Sequence, residues 1–104
     1  SEPPVAVSIS RYPAIRRDIA VLVKENISAS ELVNAVASAA PDLIKSVRIF
    51  DIYQGAGIEA GLKSVAIGLI LQETSRTLTD EDADATQAAV VQKLHQKFAA
   101  VLRE

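Results

Sequence analysis

Two neighbouring segments of the chain alternate in side-chain character with a period of two, the spacing of a β-strand with one buried face. The second segment runs from Lys63 to Leu71, where bulky apolar residues alternate with mostly small ones. The bulky set is Val65, Ile67, Leu69 and Leu71, and the other set is Ser64, Ala66, Gly68 and Ile70. We therefore predict a strand with one face in the core and a shallow floor on the other face.

The first segment, Val47 to Tyr53, alternates less strongly. A strict period of two predicts one face with Arg48, Phe50 and Ile52 and another with Ile49, Asp51 and Tyr53. If the two segments are antiparallel neighbours, Asp51 and Tyr53 share the shallow face with Ser64. This face, which carries a carboxylate, a phenol and a hydroxyl, is the candidate site.

Helix signals lie on both sides of this pair. Ser28 and Glu31 form a capping-box pattern and a proline follows at position 41, so we predict a helix over about residues 29–39. A second cap at Thr79 predicts a helix that ends near residue 98.

Strands are predicted at four places. The apolar run Ile19–Val23 predicts a central strand that follows a loop at residues 11–18. The alternating segments predict strands over about residues 45–53 and 63–73. Residues 99–103 either form a last strand or extend the second helix.

The element order predicts the fold class. Strand, helix, strand, strand, helix, strand is the order of an α+β, ferredoxin-like split βαβ fold (βαββαβ), with a four-stranded antiparallel sheet and two helices on one face. We interpret residues 1–10 as a linker or entering segment and residues 11–104 as the domain.

Composition limits the possible functions. The 104 residues are 49% hydrophobic and 23% charged, which is typical of one globular domain. The net charge is only −2, so nucleic-acid binding would depend on a local site. The absence of cysteine excludes disulfides and thiol catalysis and fits a cytoplasmic protein, and no apolar run predicts a membrane span. Because the sequence begins with serine and contains no methionine, we expect a domain of a larger protein.

Few side chains could support catalysis or metal binding. His95 is the only histidine and has glutamine and lysine neighbours, so we predict a surface residue. The helix dipole explains the acids Asp80, Glu81, Asp82 and Asp84 at the second cap. Phosphate-binding loops lie between a strand and a helix, so the glycines between the two alternating segments are interpreted as turn residues. We therefore predict no catalytic residue, cofactor or metal in this domain.

The candidate site has the side chains that a flat nucleotide base requires. Tyr53 could stack on a base, Asp51 could accept the N1–H and N2–H of guanine, and Ser64 lies across the pair of strands. Plain surface residues are the other interpretation. Arg16 and Arg17 belong to the densest positive group, which could contact phosphate or form a solvated loop with Arg17 paired to the next aspartate.

Four motifs, in matching order and spacing, are similar to those of one family. They are Pro13 to Ala20, Phe50 to Gly55 with Gly57 following, Gly61 to Ser64, and Arg76 to Glu81. Together they resemble the ferredoxin-fold anticodon-binding domain, which closes the beta subunit of bacterial phenylalanyl-tRNA synthetase. The resemblance covers about residues 10–103, and the family's fold is the one predicted above.

The resemblance implies that this domain holds the anticodon stem-loop of tRNA-Phe while aminoacylation, which uses ATP and magnesium, occurs in the alpha subunit. Its implied partners are that tRNA, the remainder of the beta subunit, and the alpha subunit in a cytoplasmic heterotetramer. The resemblance implies that Tyr53 stacks on the first anticodon base, which is a guanine. It implies that Asp51 and Ser64 contact that same base. Arg16 and Arg17 would contact backbone phosphates.

Two other functions remain open. A ferredoxin-like regulatory or dimerisation module would bind a small metabolite or a second copy, because Ala66 and Gly68 allow close approach. A structural domain would only dock against the rest of the synthetase. Loss of Tyr53 would distinguish them, because only an RNA-binding domain would lose tRNA charging.

Overall fold

The sheet and its helices follow the predicted order. The computed structural model describes residues 11–104, and the predicted linker at residues 1–10 lies outside the described residues. The elements are β1 (Ile15–Lys24), α1 (Ala29–Ala39), β2 (Ile44–Tyr53), β3 (Leu62–Leu71), α2 (Asp80–Phe98) and β4 (Val101–Leu102). The strands pair antiparallel in the order β2-β3-β1-β4. The ferredoxin-like βαββαβ prediction is confirmed.

One face of β3 is the centre of the core. Its four bulky residues are completely buried, as the alternation predicts. Both helices contribute to the same cluster, through Leu32 and Val36 of α1 and Val90 and Leu94 of α2. Both helices therefore cover this face of the sheet. Neither of them is long and apolar enough to cross a membrane.

We call the opposite side of the sheet the open face. The strand register places alternate residues of β1 and β3 on it, together with five residues of β2. The set is Arg16, Asp18, Ala20, Leu22 and Lys24 of β1, Ser64, Ala66, Gly68 and Ile70 of β3, and Ser46, Arg48, Phe50, Asp51 and Tyr53 of β2. No helix within residues 11–104 packs on this face.

Strand β1 begins four residues earlier than the sequence predicts. Residues 15–18 were expected to be a loop, but they pair with β3 from Ile15 opposite Leu71 to Asp18 opposite Gly68. The loop prediction was wrong because pairing with a long central strand overrides the weak strand preference of a charged run. As a result, Arg16 and Arg17 project from opposite faces of the sheet.

A β-bulge in β2 changes the predicted division of its side chains. The register with β3 shifts between Ile49, which lies opposite Ile67, and Asp51, which lies opposite Ala66. The extra residue, Phe50, interrupts the alternation, so residues on either side of it no longer follow one period of two. The expected faces were therefore wrong in part. Ile49 lies on the helix-covered face, and Phe50 joins Asp51 on the open face.

Both helices begin with the predicted caps. The Ser28 hydroxyl accepts the Glu31 backbone N–H at 3.1 Å, and α1 has the predicted limits. In α2 the Thr79 hydroxyl accepts the Asp82 N–H at 3.1 Å, and the Thr79 N–H donates to the Asp82 carboxylate at 2.8 Å. The helix ends at Phe98, and its C-cap residue Ala99 has a left-handed φ of 56°, so residues 101–102 are free to form a strand instead of extending α2.

The Asp82 carboxylate connects the cap of α2 to the preceding loop. Arg76 donates to it at 2.7 Å and also pairs with Glu73 at 2.9 Å. The guanidinium of Arg76, together with the cap N–H of Thr79, lowers the pKa of Asp82 well below its ordinary value. Because the folded pKa is the lower one, this stabilisation is present at neutral pH and decreases as Asp82 is protonated in acid.

We predict that Asp82→Asn lowers the free energy of unfolding at pH 7. The difference in unfolding free energy between the variant and wild type should narrow as the pH falls below about 4, the ordinary pKa of an aspartate. Urea unfolding of both proteins from pH 7 to pH 2 measures this difference. The matched control is Glu59→Gln in an exposed loop, which should keep the wild-type pH dependence. A constant gap between Asp82→Asn and wild type would contradict the prediction.

Candidate functional site

Tyr53 lies at the end of β2 with its ring on the open face, opposite Ser64. Its side chain is 39% exposed, and its hydroxyl donates to the Ala56 carbonyl at 2.9 Å. Gly55 has a φ of +138°, and a Cβ there would lie 3.2 Å from the Tyr53 hydroxyl. The turn therefore requires glycine, and it holds the phenol in one orientation with a ring face available.

Asp51 lies in the adjacent row of the sheet. Across the strands this row reads Asp51, Ala66, Ala20 and Arg103, because Asp51 pairs with Ala66, Ala66 with Ala20, and the Arg103 N–H donates to the Ala20 carbonyl at 2.7 Å. Within residues 11–104 the Asp51 carboxylate has no hydrogen bond or ion pair. The row is thus a floor of two small side chains between a free carboxylate and the Arg103 backbone.

Ser64 is buried, with 5% of its surface exposed. Its hydroxyl accepts a hydrogen bond from Arg103 Nη1 at 3.1 Å. The arginine side chain therefore extends from the β4 side of the sheet across β1 toward β3. Sequence reasoning did not identify Arg103, because the position and register of the last strand were undetermined.

Arg16 also lies on the open face, toward the other end of β1. Its Nε donates to Asp18 Oδ1 at 3.0 Å. A Cβ on Gly68 would approach Asp18 Oδ1 to 3.2 Å and Arg16 Nη2 to 3.6 Å. The glycine therefore allows this ion pair to lie close to the sheet.

Arg17 lies on the helix-covered face, opposite Leu69. Its Nη1 is 2.6 Å from Asp84 Oδ1 and its Nη2 is 3.7 Å from Asp80 Oδ1. The expected pairing with the next aspartate was wrong, because Asp18 projects from the other face and pairs with Arg16. Arg17 connects β1 to α2, and its contact with an RNA phosphate remains a prediction.

The charges are distributed unequally over the domain. On the open face the basic residues are Arg16, Lys24, Arg48 and Arg103, and the acidic ones are Asp18 and Asp51. Acidic residues cluster instead at the start of α2, on the other side of the sheet. The open face is therefore locally positive although the whole chain carries −2.

Residues with catalytic or metal-binding potential are dispersed. His95 is exposed, as predicted, and its Nδ1 lies 3.1 Å from the Ala100 carbonyl at the end of α2. Among residues 11–104, no three histidine or acidic side chains are grouped closely enough to hold a metal ion.

Comparison with known proteins agrees with the fold. The family model described as the ferredoxin-fold anticodon binding domain matches residues 10–103. The chain belongs to the ferredoxin-fold anticodon-binding domain family. It is also 46% identical to the phenylalanine–tRNA ligase beta subunit of Yersinia pestis over 101 aligned residues. These residues make up 97% of this chain and 13% of the relative.

Other beta subunits are similar to the same extent. The identity is 44% over 96 residues with the phenylalanine–tRNA ligase beta subunit of Methylococcus capsulatus, covering 92% of this chain and 12% of the relative. The identity is also 44% with the phenylalanine–tRNA ligase beta subunit of Vibrio vulnificus, over 101 residues that make up 97% of this chain and 13% of the relative. The chain thus spans about an eighth of the length of these relatives.

Two of the four anticodon-binding-domain motifs contain residues that support the fold. In the motif from Gly61 to Ser64, the buried Lys63 ammonium donates to the Ile27 carbonyl before α1. In the motif from Arg76 to Glu81, Leu78 is buried and Arg76 holds the α2 cap. The motif from Phe50 to Gly55 contains the predicted site residues Asp51 and Tyr53, and Ser64 is the last residue of the motif that begins at Gly61.

Proposed function

We propose that this domain holds the anticodon stem-loop of tRNA-Phe, with the first anticodon base on the open face beside Tyr53. The row Asp51, Ala66, Ala20 and Arg103 carries the proposal, because it combines a flat floor with a free acceptor at one end, and the Arg103 guanidinium reaches from its other end to Ser64 in the adjacent row as a donor. Single-stranded RNA is recognised in this manner, through unstacked bases that stack on aromatic rings and bond along their edges.

Each polar group of the row corresponds to part of a guanine edge. The free Asp51 carboxylate accepts from N1–H and N2–H, which adenine does not offer in the same pattern. The Arg103 guanidinium donates to O6 or N7, the acceptors that arginine prefers on guanine. Ser64, which was expected to contact the base, accepts from Arg103 and directs its guanidinium toward the floor.

Few basic residues lie near the site, so we expect the domain to bind tRNA specifically but with low affinity by itself. Arg16 is available for a backbone phosphate on the open face, whereas Arg17 faces α2 and Arg103 is assigned to the base. Other parts of the synthetase would supply most phosphate contacts. We therefore propose weak, salt-dependent binding of tRNA by the isolated domain.

The parent protein is proposed to be a cytoplasmic phenylalanine–tRNA ligase. In that assembly the alpha subunit, in a heterotetramer with the beta subunit, would catalyse aminoacylation with ATP and magnesium. This domain would contribute tRNA selection and no catalytic residue.

We predict that Asp51→Ala, introduced into the complete synthetase, lowers its preference for guanine over adenine at the first anticodon position by about 1–3 kcal/mol, or 5- to 150-fold. Removing a negative charge should leave binding of the adenine-substituted tRNA unchanged or stronger. Dissociation constants for both tRNAs measure the effect.

The matched control is Asp42→Ala, which removes an exposed acid in the turn before β2. It should keep the wild-type preference for guanine. If Asp51→Ala also keeps that preference, Asp51 does not contact the base, and a regulatory or docking role for the open face becomes the better account.

A further inference from the structure

A shallow hollow of about 180 Å³ lies on the open face, away from Tyr53. Its lining residues are Arg16, Ser46, Arg48, Phe50, Gly68 and Ile70, and we call it the Arg48 pocket. Along β3 its floor at Gly68 is four residues from Ser64, roughly 13 Å at the usual rise of a strand. One base cannot occupy both places.

The bulge in β2 places an aromatic ring in this pocket. Phe50 is 47% exposed, although a phenylalanine ring gains stability when it is buried. The Arg16 guanidinium lies 5.8 Å from the centroid of the ring. An exposed aromatic beside a cation is the arrangement on which nucleic-acid bases stack.

Two guanidinium groups flank the ring. Arg16 is held low over Gly68 by its ion pair with Asp18. The Arg48 side chain is exposed and makes no hydrogen bond or ion pair with the described residues. A positive group that the fold does not neutralise is complementary to a phosphate, which arginine binds through paired N–H groups.

We propose that the Arg48 pocket binds a second nucleotide of the same RNA strand, with its base on Phe50 and its phosphate on Arg48 and Arg16. This inference depends on the proposed function, because the strand is the one whose first anticodon base lies beside Tyr53. The pocket is continuous with that site along the open face. It contributes affinity with little discrimination between bases, since its lining offers a ring, positive charge and a single hydroxyl, that of Ser46.

The test uses Phe50→Ala and Arg48→Gln in the complete synthetase, with unmodified tRNA-Phe transcript as the probe at several salt concentrations. Phe50→Ala should weaken binding about 5- to 15-fold with an unchanged salt slope. Arg48→Gln should weaken binding about 3- to 10-fold and reduce the slope of log K against log salt by about 0.7. Both variants should keep the wild-type preference for guanine at the first anticodon position.

Matched controls lie on the other side of the sheet. Ile52 is 49% exposed on β2 and lies opposite Val65 of the helix-covered face, so Ile52→Ala removes a similar apolar group elsewhere. Lys93→Gln removes one positive charge from α2. Both controls should bind tRNA-Phe as wild type does.

The outcomes separate this inference from the proposed function. Wild-type binding by the Phe50 and Arg48 variants, together with a lost guanine preference in Asp51→Ala, overturns the second nucleotide site and leaves the anticodon role intact. An unchanged guanine preference in Asp51→Ala overturns the proposed function. Weakened binding that accompanies loss of subunit assembly in sedimentation would assign Phe50 to a protein interface and also overturn the inference.

Discussion

Replacing Tyr53 with alanine in the complete synthetase should weaken tRNA-Phe binding by about 1–3 kcal/mol, the usual contribution of one stacked base. The ring is exposed on the open face, and its hydroxyl bond to the Ala56 carbonyl fixes its orientation before RNA arrives. Removing the ring therefore removes a prearranged stacking surface. The measurement is kcat/KM for charging of tRNA-Phe and of a tRNA with a substituted first anticodon base.

The effects of Tyr53→Ala and of the substituted anticodon base on kcat/KM should be non-additive if Tyr53 contacts that base, because either change alone removes the same interaction. Tyr53→Phe is the matched control, since it keeps the ring and loses only the bond to Ala56. We expect Tyr53→Phe to charge the tRNA nearly as well as wild type. An unchanged kcat/KM in Tyr53→Ala would contradict the anticodon role and favour a docking or regulatory domain.

Replacing Leu69 with alanine should lower the free energy of unfolding by about 3–5 kcal/mol. Leu69 is completely buried in the central strand, opposite Val47 on one side and Arg17 on the other. The rigid sheet and the helices above it leave little room for the cavity to close, so the cost is at the upper end of such substitutions. Since small domains have only about 5–15 kcal/mol in total, the variant should be marginally stable.

Urea unfolding of the 104-residue chain measures this loss, with Ile70→Ala as the control. Ile70 follows Leu69 in β3 but projects from the open face and is only partly buried. Its loss should cost about 1–2 kcal/mol, because solvent can occupy the space that it leaves. Equal losses in the two variants would show that the open face is as well covered as the core face.

The candidate site was predictable where its signal is local. Ser64 lies in the segment that alternates clearly and Tyr53 at the end of its neighbour, and the structure places them opposite each other on the open face. Asp51 reaches this face as expected, but only because the bulge at Phe50 separates it from the core residue Ile49. The predicted position of Asp51 was therefore right, although the alternation assumed for the whole segment was not.

The residues that were missed depend on contacts between distant strands. Arg103 joins the site because β4 pairs with β1, and no local pattern determined whether residues 99–103 would form a strand. Arg48 and Phe50 share the open face with Asp51 only because the register shifts between Ile49 and Asp51. Bulges and strand registers are chosen by the whole sheet, so a single segment does not encode them.

The sequence by itself determined the order of the elements, the start of each helix and the core face of β3. These follow from caps that satisfy backbone groups within four residues and from the period of a strand against a core. Only the tertiary structure decided that β1 begins at Ile15, that Arg17 pairs with α2, and that the Arg103 side chain reaches Ser64. Each of these depends on a partner far away in the chain, whose position is set when the sheet and helices pack together.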